Sequence, residues 1–410
     1  MIHITDKTAC CGCTACVSAC PVRCIDLVTD EEGFWYPEVN RSACVGCGRC
    51  ESVCPFLSAR DKAPVLSTYA ARTEDEMILS TSSSGGVFAE LCKLSFADGG
   101  VVYGVAMQDD CRGCVFVRAE EISGTISMRG SKYLQADCKG VYDLVSADLR
   151  SGRKVLFVGT PCQANALVSY LGTSREGLTV IDFICHGVPS PKLWAAFVDH
   201  LERKHGSRVA NVSFRRKEAV IRDNRGRLAL DADQEYQPLS LSPYLRMFLR
   251  NYCLRPSCYS CRAKRTRYAD ATIADFWGVK EVVPQMASEM GCSLVIVRTE
   301  QALRHLDRMG ASITLAEVDY DDAVRWNPSA FESTKRPPER DVFFSDLDRL
   351  DFSEIVRKYG SLHGSERLKS VIVDRLNRLG LLGLARHVMG KGPSKSLRYG
   401  ILIEYESTLK

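Results

Sequence analysis

The sequence predicts an α/β protein in three parts: a small cysteine-rich module, a larger α/β domain and a helical C-terminal tail. Ten of the 20 cysteines lie in the first 54 residues, and residues 336–410 contain none. In between, short apolar runs alternate with segments of helical spacing, a pattern typical of α/β domains. We place the three parts at residues 1–60, 65–335 and 336–410.

Composition excludes several broad classes of protein. The chain has 54 basic and 50 acidic side chains, a net charge of +4, which does not indicate nucleic acid as a partner. No apolar run approaches the roughly 18 residues of a membrane span, and Met1–Asp6 does not begin a signal peptide. We therefore expect a cytoplasmic protein, and cysteines in a reducing cytosol indicate metal binding before disulfides.

The N-terminal module contains one cysteine pattern twice. Each copy reads C-x2-C-x2-C-x3-C-P, first at Cys10, Cys13, Cys16 and Cys20, then 34 residues later at Cys44, Cys47, Cys50 and Cys54. Soft thiolates at this spacing suit a compact iron–sulfur cube. Paired CxxC motifs also form zinc sites, but a zinc ribbon uses only two pairs. The complete run, repeated with its proline, predicts two [4Fe-4S] clusters.

The module resembles the bacterial two-cluster ferredoxins, in which the fourth cysteine of each run binds the other cluster. This resemblance assigns one cluster to Cys10, Cys13, Cys16 and Cys54, and the second to Cys44, Cys47, Cys50 and Cys20. Cys11 and Cys24 are left over, and we expect them to be buried thiols without a ligand role.

The polar stretch Ser58–Pro64 reads as a linker into the second part. Six apolar runs beyond it predict buried strands: 100–106, 114–118, 154–159, 178–184, 271–276 and 294–298. Helical spacing occurs near 85–98, 137–151, 162–171, 191–205 and 241–251. This alternation predicts a mainly parallel sheet.

Two turns rich in small residues open predicted helices. They are Ser82–Gly86 and Gly159–Gln163. Helix N-termini present unpaired N–H groups and partial positive charge, which suit a phosphate. Each turn is equally compatible with an ordinary capped helix.

Four further cysteines lie where a third cluster is possible. Cys162 and Cys185 each follow a predicted strand, and Cys258 and Cys261 form a CxxC. Loops after parallel strands converge at one sheet edge, so these thiols can meet. Buried thiols, or a redox dithiol at the CxxC, are the alternatives.

Several motifs together resemble the coenzyme F420 hydrogenase/dehydrogenase beta-subunit family over about residues 65–335. These motifs begin at Ser84, Arg129, Gly159, Asp182, Cys258 and Ala269. Members bind FAD and iron–sulfur clusters and pass electrons between a ferredoxin-type donor and a two-electron acceptor. The resemblance implies a flavin-binding α/β domain here, with a third cluster on Cys162, Cys185, Cys258 and Cys261.

The resemblance also implies the residues of an FAD site: Ser84, Gly85, Gly86, Lys132, Tyr133, Gly159, Thr160 and Gln163. The basic segment Phe214–Arg222 lacks the Gly-Trp expected soon after it, which leaves the substrate class open. The use of F420 itself does not follow from the family name.

These features predict an oxidoreductase with a ferredoxin or another redox protein as donor and a small-molecule substrate as acceptor. His186 is a candidate proton donor, and Lys132 is a candidate for stabilising phosphate or flavin charge. A non-catalytic electron-transfer subunit and an iron–sulfur regulatory protein are the alternatives. The basic amphipathic stretch Arg367–Arg386 is expected to pack on its own domain, rather than on a membrane or partner.

Overall fold

The computed structural model describes residues 1–57, 63–217, 230–238, 241–362, 364 and 399–406. Most of the predicted linker Ser58–Pro64, part of Phe214–Arg222 and all of Arg367–Arg386 lie outside these ranges. The strands are β1 (Ile25–Thr29), β2 (Trp35–Val39), β3 (Ser67–Thr73), β4 (Val101–Met107), β5 (Cys114–Ala119), β6 (Ala136–Asp137), β7 (Val155–Gly159), β8 (Leu178–Phe183), β9 (Val209–Lys217), β10 (Gln234–Pro238), β11 (Ala271–Asp275), β12 (Ser293–Val297), β13 (Ile313–Glu317) and β14 (Tyr399–Tyr405).

The α-helices of the described ranges vary from one turn to four. They are α1 (Ala15–Ser18), α2 (Arg49–Ser52), α3 (Glu76–Thr81), α4 (Val87–Ala97), α5 (Val141–Arg150), α6 (Pro161–Leu171), α7 (Pro191–His205), α8 (Pro243–Leu249), α9 (Val279–Val282), α10 (Glu300–Met309), α11 (Tyr320–Val324), α12 (Arg340–Arg349) and α13 (Phe352–Ile355). None of them is both long and apolar enough to cross a membrane.

The N-terminal module is a β1–β2 hairpin with two short helices, and its sequence repeat is also a backbone repeat. Gly12 and Gly46, which are equivalent in the two cysteine runs, have φ angles of 70° and 69°. Thr14 and Gly48 come two residues later, with φ angles of 64° and 71°, and each directly precedes a short helix. The two runs therefore turn in the same way and present their cysteines alike.

A large mixed sheet forms the centre of the α/β domain. Among the described residues it has nine strands, in the order β13-β3-β12-β11-β8-β7-β4-β5-β6. The central pairs β11–β8, β8–β7 and β7–β4 are parallel, as is the edge pair β5–β6. The other four neighbouring pairs are antiparallel.

The prediction of a mainly parallel sheet is therefore wrong. Only six residues connect β4 to β5, and a parallel crossover needs a dozen or more. The six predicted strands and five predicted helices are all present, within a few residues of their expected bounds. Three further strands of this sheet were missed: β3 and β13 contain polar residues rather than a continuous apolar run, and β6 has only two residues.

The sheet buries apolar side chains on both faces, because successive residues of a strand point in opposite directions. On one face, Phe157 packs in a cluster with residues of α5 and α6. On the other, Leu156 and Val158 pack with residues of α4 and α10. Ala15 and Val53 of the N-terminal module belong to the first cluster, so the module shares the core of the sheet.

The described chain forms two compact units. The first comprises residues 1–108, 113–192 and 254–335, so it contains both the N-terminal module and the nine-stranded sheet. The second comprises 109–112, 193–253 and 336–410, and it contains the antiparallel sheet β10-β14-β9. Strand β14 shows that the C-terminal part is not purely helical, which corrects the predicted helical tail. The boundaries at 60, 65 and 335 stay predictions.

Candidate functional site

The first cavity of the N-terminal module is lined by the cysteines that the crossed assignment groups together. Cys10, Cys13 and Cys16 come from one run, and Cys54 comes from the other. Apolar side chains complete the wall: Ile2, Ile4, Leu27, Pro37 and Phe56. Four thiols around an enclosed space with an apolar wall fit a compact iron–sulfur cube.

The second cavity contains the complementary set. Its wall includes Cys44, Cys47, Cys50 and, from the other run, Cys20. Cys47 is exposed, whereas Cys16 of the first cavity is buried. The leftover Cys24 also lies here, with its sulfur 3.5 Å from that of Cys20. One thiol of the second set, that of Cys47, is therefore exposed at the surface.

Three elements bring the four remaining candidate thiols together. Cys162 lies in the first turn of α6 and Cys185 follows β8. Cys258 lies within the short 3-10 turn Pro256–Ser260, and Cys261 directly follows that turn. Burial, and then the charges of Cys162 and Cys261, raise the pKa of Cys185 to about 12. Burial, and then the charges of Cys185 and Cys261, raise the pKa of Cys258 as well. The four thiols are thus electrostatic neighbours.

The surroundings of this third set favour anionic sulfur. The N–H of Val188 donates to the sulfur of Cys258 at 3.3 Å. Lys264 is buried, donates to the carbonyl of Glu332 at 2.7 Å, and interacts with Cys185, Cys258 and Cys261. The N-terminus of α6 adds partial positive charge at Cys162. These features fit thiolate ligands. Across the described ranges, no three His, Cys, Asp or Glu side chains are arranged to hold a single metal ion.

Cys11 connects the first and third sets, a role that the sequence did not reveal. Its interaction with Cys13 is the largest cause that raises its pKa, and its interaction with Cys162 acts in the opposite direction. The same contact with Cys11, followed by burial, raises the pKa of Cys162. The thiol that was expected to be only a buried side chain therefore lies between two candidate ligand sets.

The first predicted flavin turn has a structural reason for its small residues. The N–H of Gly85 donates to Oγ of Ser293 at 2.9 Å, and Oγ of Ser84 donates to the carbonyl of Cys292 at 2.8 Å. A Cβ atom at Gly85 would lie 2.3 Å from the carbonyl oxygen of Ala71. At Gly86, which has a φ of +86°, it would lie 2.5 Å from Thr73. Close packing on β3 and β12 thus requires both glycines.

The loop with Lys132 and Tyr133 lies beside that turn. The N–H of Ser131 donates to Oγ of Ser83 at 2.8 Å. Lys132 donates to the carbonyls of Ser127 at 2.7 Å and Arg129 at 2.9 Å, and burial lowers its pKa to about 8. Nε of Arg129 is buried without a hydrogen-bond partner in the described part of the chain. Sequence reasoning left Arg129 out of the site residues, although it opens one of the quoted motifs.

The second predicted flavin turn is a capped helix start. Thr160 and Gln163 form a capping box, in which the N–H of Thr160 donates to Oε1 of Gln163 at 2.8 Å. The amide of Gln163 also donates to the sulfur of Cys138 at 3.2 Å. Gly159 ends β7, three strand spacings from β12, or roughly 14 Å. The two turns share a sheet edge but are too far apart to hold the same phosphate.

Comparison with known proteins identifies two segments. Residues 152–323 match the family described as the C terminus of the coenzyme F420 hydrogenase/dehydrogenase beta subunit. Residues 9–57 match the 4Fe-4S dicluster domain. The chain carries both domains. It is thus an iron–sulfur redox protein related to these beta subunits, and the resemblance noted in its sequence is confirmed.

Thirteen chains of solved structures match, and one of them is similar over most of its length. It is a chain of the F420-reducing [NiFe] hydrogenase complex from Methanosarcina barkeri, at 16% identity. The match covers 73% of this chain and 90% of that chain, with a TM-score of 0.44. No curated protein matches.

The matched segments contain all twelve candidate ligands. The dicluster segment holds the eight cysteines of the two runs, and the beta-subunit segment holds Cys162, Cys185, Cys258 and Cys261. His186 is also in the beta-subunit segment, where its carbonyl accepts a hydrogen bond from Thr334 at 2.6 Å. Catalytic roles for His186 and Lys132 stay predictions.

Proposed function

We propose that the chain passes electrons between a low-potential, ferredoxin-type donor and a two-electron organic acceptor, through [4Fe-4S] clusters and FAD. The observation that carries the proposal is the continuity of the three cysteine sets. Cys11 contacts Cys13 of the first set and Cys162 of the third, while Cys47 of the second set is exposed. An entry point, a middle site and a site at the sheet edge follow one another, as electron transfer requires.

The proposed ligands divide the twelve cysteines among three clusters. The first two are held by the crossed sets around the two module cavities. The third is held by the thiols beside Lys264. In this arrangement, α6 contributes its N-terminal dipole, and Lys264 balances part of the negative charge of the thiolates.

FAD is proposed for the loop pair Ser83–Gly86 and Arg129–Tyr133. The unpartnered Nε of Arg129 fits a phosphate oxygen, and Lys132 is a second cation in the same loop. When bound, a flavin supplies the conversion between one-electron and two-electron transfer. The capping box at Thr160 and Gln163 gives this pair less support as flavin residues.

The second candidate is a non-catalytic electron-transfer subunit that delivers electrons to another protein. The packing of Gly85 on β3 and the capping at Thr160 favour it, because neither turn then requires a flavin. Both candidates need a redox partner, and only the first needs a small-molecule substrate. The cytoplasmic location stays a prediction.

Anaerobic purification with iron, sulfide and flavin analysis tests the proposal. We expect about twelve iron atoms per chain, and about eight after Cys258→Ser with Cys261→Ser. Cys292→Ala, which removes a buried thiol outside the three sets, is the control and should keep all the iron. Unchanged iron in the double variant would remove the third cluster.

Flavin content and turnover separate the two candidates. The oxidoreductase should contain about one FAD per chain, and Arg129→Met should lower that occupancy while leaving the iron unchanged. The protein, once reduced, should also reduce small acceptors by itself. Protein with its clusters but no flavin, and with no such turnover, supports the relay instead.

A further inference from the structure

Arg255 is completely buried in the first compact unit and points at the first cysteine set. Its exposed fraction is 0%. Nε donates to the carbonyl of Cys10 at 2.8 Å, and Nη2 donates to the carbonyl of Trp35 at 2.9 Å. Nη2 also lies 3.7 Å from the sulfur of Cys10. A guanidinium therefore touches a ligand of the first proposed cluster.

The surroundings keep that charge in place and away from water. The ring centroid of Tyr36 lies 4.3 Å from the guanidinium carbon, and that of Phe34 lies 5.4 Å from it. Nη1 donates to Oε1 of Gln135 at 3.4 Å. A Cβ atom at Gly12 would lie 2.8 Å from Nη1 of Arg255. The ligand loop thus has a glycine where the guanidinium approaches.

The second set has a weaker positive environment. The ammonium group of Met1 interacts with Cys44 and Cys50, but it is partly exposed and paired with Glu51 at 2.9 Å. Solvent and the carboxylate screen this charge. Arg255 has neither form of screening, because it is buried and its described acceptors are carbonyls, an amide oxygen and a thiol.

We propose that Arg255 raises the reduction potential of the cluster held by Cys10, Cys13, Cys16 and Cys54 above that of the cluster held by Cys20, Cys44, Cys47 and Cys50. Reduction adds one electron, and a nearby positive charge with a hydrogen bond to a ligand sulfur stabilises the reduced state. Electrons then move favourably from the cluster that has the exposed Cys47 to the cluster beside Arg255. This inference rests on the proposed function.

The backbone of Arg255 also forms hydrogen bonds in the loop that carries Cys258 of the third set. The N–H of Cys258 donates to the carbonyl of Arg255 at 2.9 Å, and the N–H of Arg255 donates to the carbonyl of Val188 at 2.8 Å. The loop that carries Cys258 is therefore fixed by the residue whose side chain contacts Cys10. Arg255 sets both the spacing of the two sites and the charge between them.

Redox titration of the full-length, anaerobically purified protein, followed by electron paramagnetic resonance, tests the inference. In Arg255→Met, the equilibrium constant for electron transfer between the two module clusters should change at least tenfold. This corresponds to a change of about 59 mV in the difference between their reduction potentials for a one-electron couple. The reduction potential of the first module cluster, beside Arg255, should become more negative. The reduction potential of the second module cluster should stay unchanged. Arg255→Lys, which keeps a charge, should recover part of the shift.

Arg262→Met is the matched control. Arg262 also lies near the first set, since it influences Cys54 and its guanidinium carbon lies 6.0 Å from the ring centroid of Phe56, but it is exposed. Removing its screened charge should move neither potential by that amount. If Arg255→Met loses iron, Gln135→Glu decides, because the added carboxylate neutralises Arg255 without removing it and should shift the same cluster downwards.

Two results would overturn the inference while leaving the proposed function intact. The first is an Arg255→Met protein that keeps all its iron and has unchanged potentials of the module clusters. If Arg255→Met loses iron, unchanged potentials in Gln135→Glu have the same meaning. The other is an equal shift of both module clusters, which indicates a global change of structure. Failure of the proposed function is distinct, since it would be seen in the unmodified protein, either as missing clusters or as clusters without flavin and turnover.

Discussion

At the scale of single residues, an ion pair between Asp182 and Arg267 fixes the strand that leads to Cys185. The two side chains are 0% and 7% exposed, and Nη1 of Arg267 lies 2.8 Å from Oδ2 of Asp182. Thr272 donates to the other carboxylate oxygen, and Arg267 also donates to the carbonyl of Ala330. This buried network holds the end of β8, and with it a proposed cluster ligand.

Asp182→Asn should lower the free energy of unfolding by about 3 kcal/mol, because it leaves the buried guanidinium without a counter-charge. Chemical denaturation measures the change. Asp98→Asn is the control, since Asp98 pairs with Arg308 and Lys154, which are largely exposed, and its loss should cost under about 1 kcal/mol. Equal costs in the two variants would contradict this account of β8.

Because of Cys292, we expect the free energy of unfolding to depend on pH in the alkaline range. Burial raises the pKa of its thiol to about 11, above the value in the unfolded chain. The unfolded state therefore loses this proton first, and stability that is complete below pH ~9 is lost as the pH rises toward ~11. Over that pH range, the free energy of unfolding of Cys292→Ala should fall by about 2 kcal/mol less than that of the unmodified protein. If the free energy of unfolding depends on pH in the same way in Cys292→Ala and in the unmodified protein, the effect does not come from Cys292.

At the scale of secondary-structure elements, the start of α4 depends on Gly86. Its φ of +86° disfavours any side chain, and the contact with Thr73 adds a steric clash. Gly86→Ala should destabilise the protein by about 2 to 4 kcal/mol. At Gly152, where φ is +81° and nothing lies within 4 Å, Gly152→Ala should cost only about 1 kcal/mol. Thermal unfolding compares the two, and equal costs would exclude the clash.

Elements and sites differ in how far the sequence predicts them. Local patterns predicted six strands, five helices and the two cysteine runs, because each depends on spacing within a short segment. The crossed cysteine sets followed from the resemblance to two-cluster ferredoxins. The place of β3 in the sheet was not predictable, since its pairing with β12 joins residues more than 200 positions apart. The short connection between β4 and β5, in contrast, already indicates an antiparallel pair. Arg255 was missed because nothing in its own segment indicates a contact with Cys10.

At the scale of the whole molecule, the N-terminal module and the sheet share one core. Ala15, Ala19 and Val53 pack with Tyr142 and Leu167 in a single apolar cluster. The hydroxyl of Tyr142 donates to the carbonyl of Cys13 at 2.7 Å. A module that folds independently of the sheet is therefore at odds with the structure.

Deletion of residues 1–64 should destabilise the remaining chain by at least about 3 kcal/mol. The apolar face around Tyr142 becomes exposed, and Arg255 loses its partners Cys10 and Trp35. Denaturant unfolding and binding of a hydrophobic dye measure the effect. As a control, Arg255→Met should cost much less in the truncated chain than in the full one. A truncated chain as stable as the full one would show that the module and the sheet fold independently.

The bond between Arg255 and Cys10 also has a consequence for biosynthesis. The two residues are 245 positions apart, and ribosomes add about 5 to 20 residues per second. Roughly 12 to 50 s of translation therefore separate the emergence of the first cysteine loop from that of the side chain that covers it. During this interval Arg255 has not been synthesised, so a cluster inserted at that stage meets a cysteine loop that no guanidinium covers.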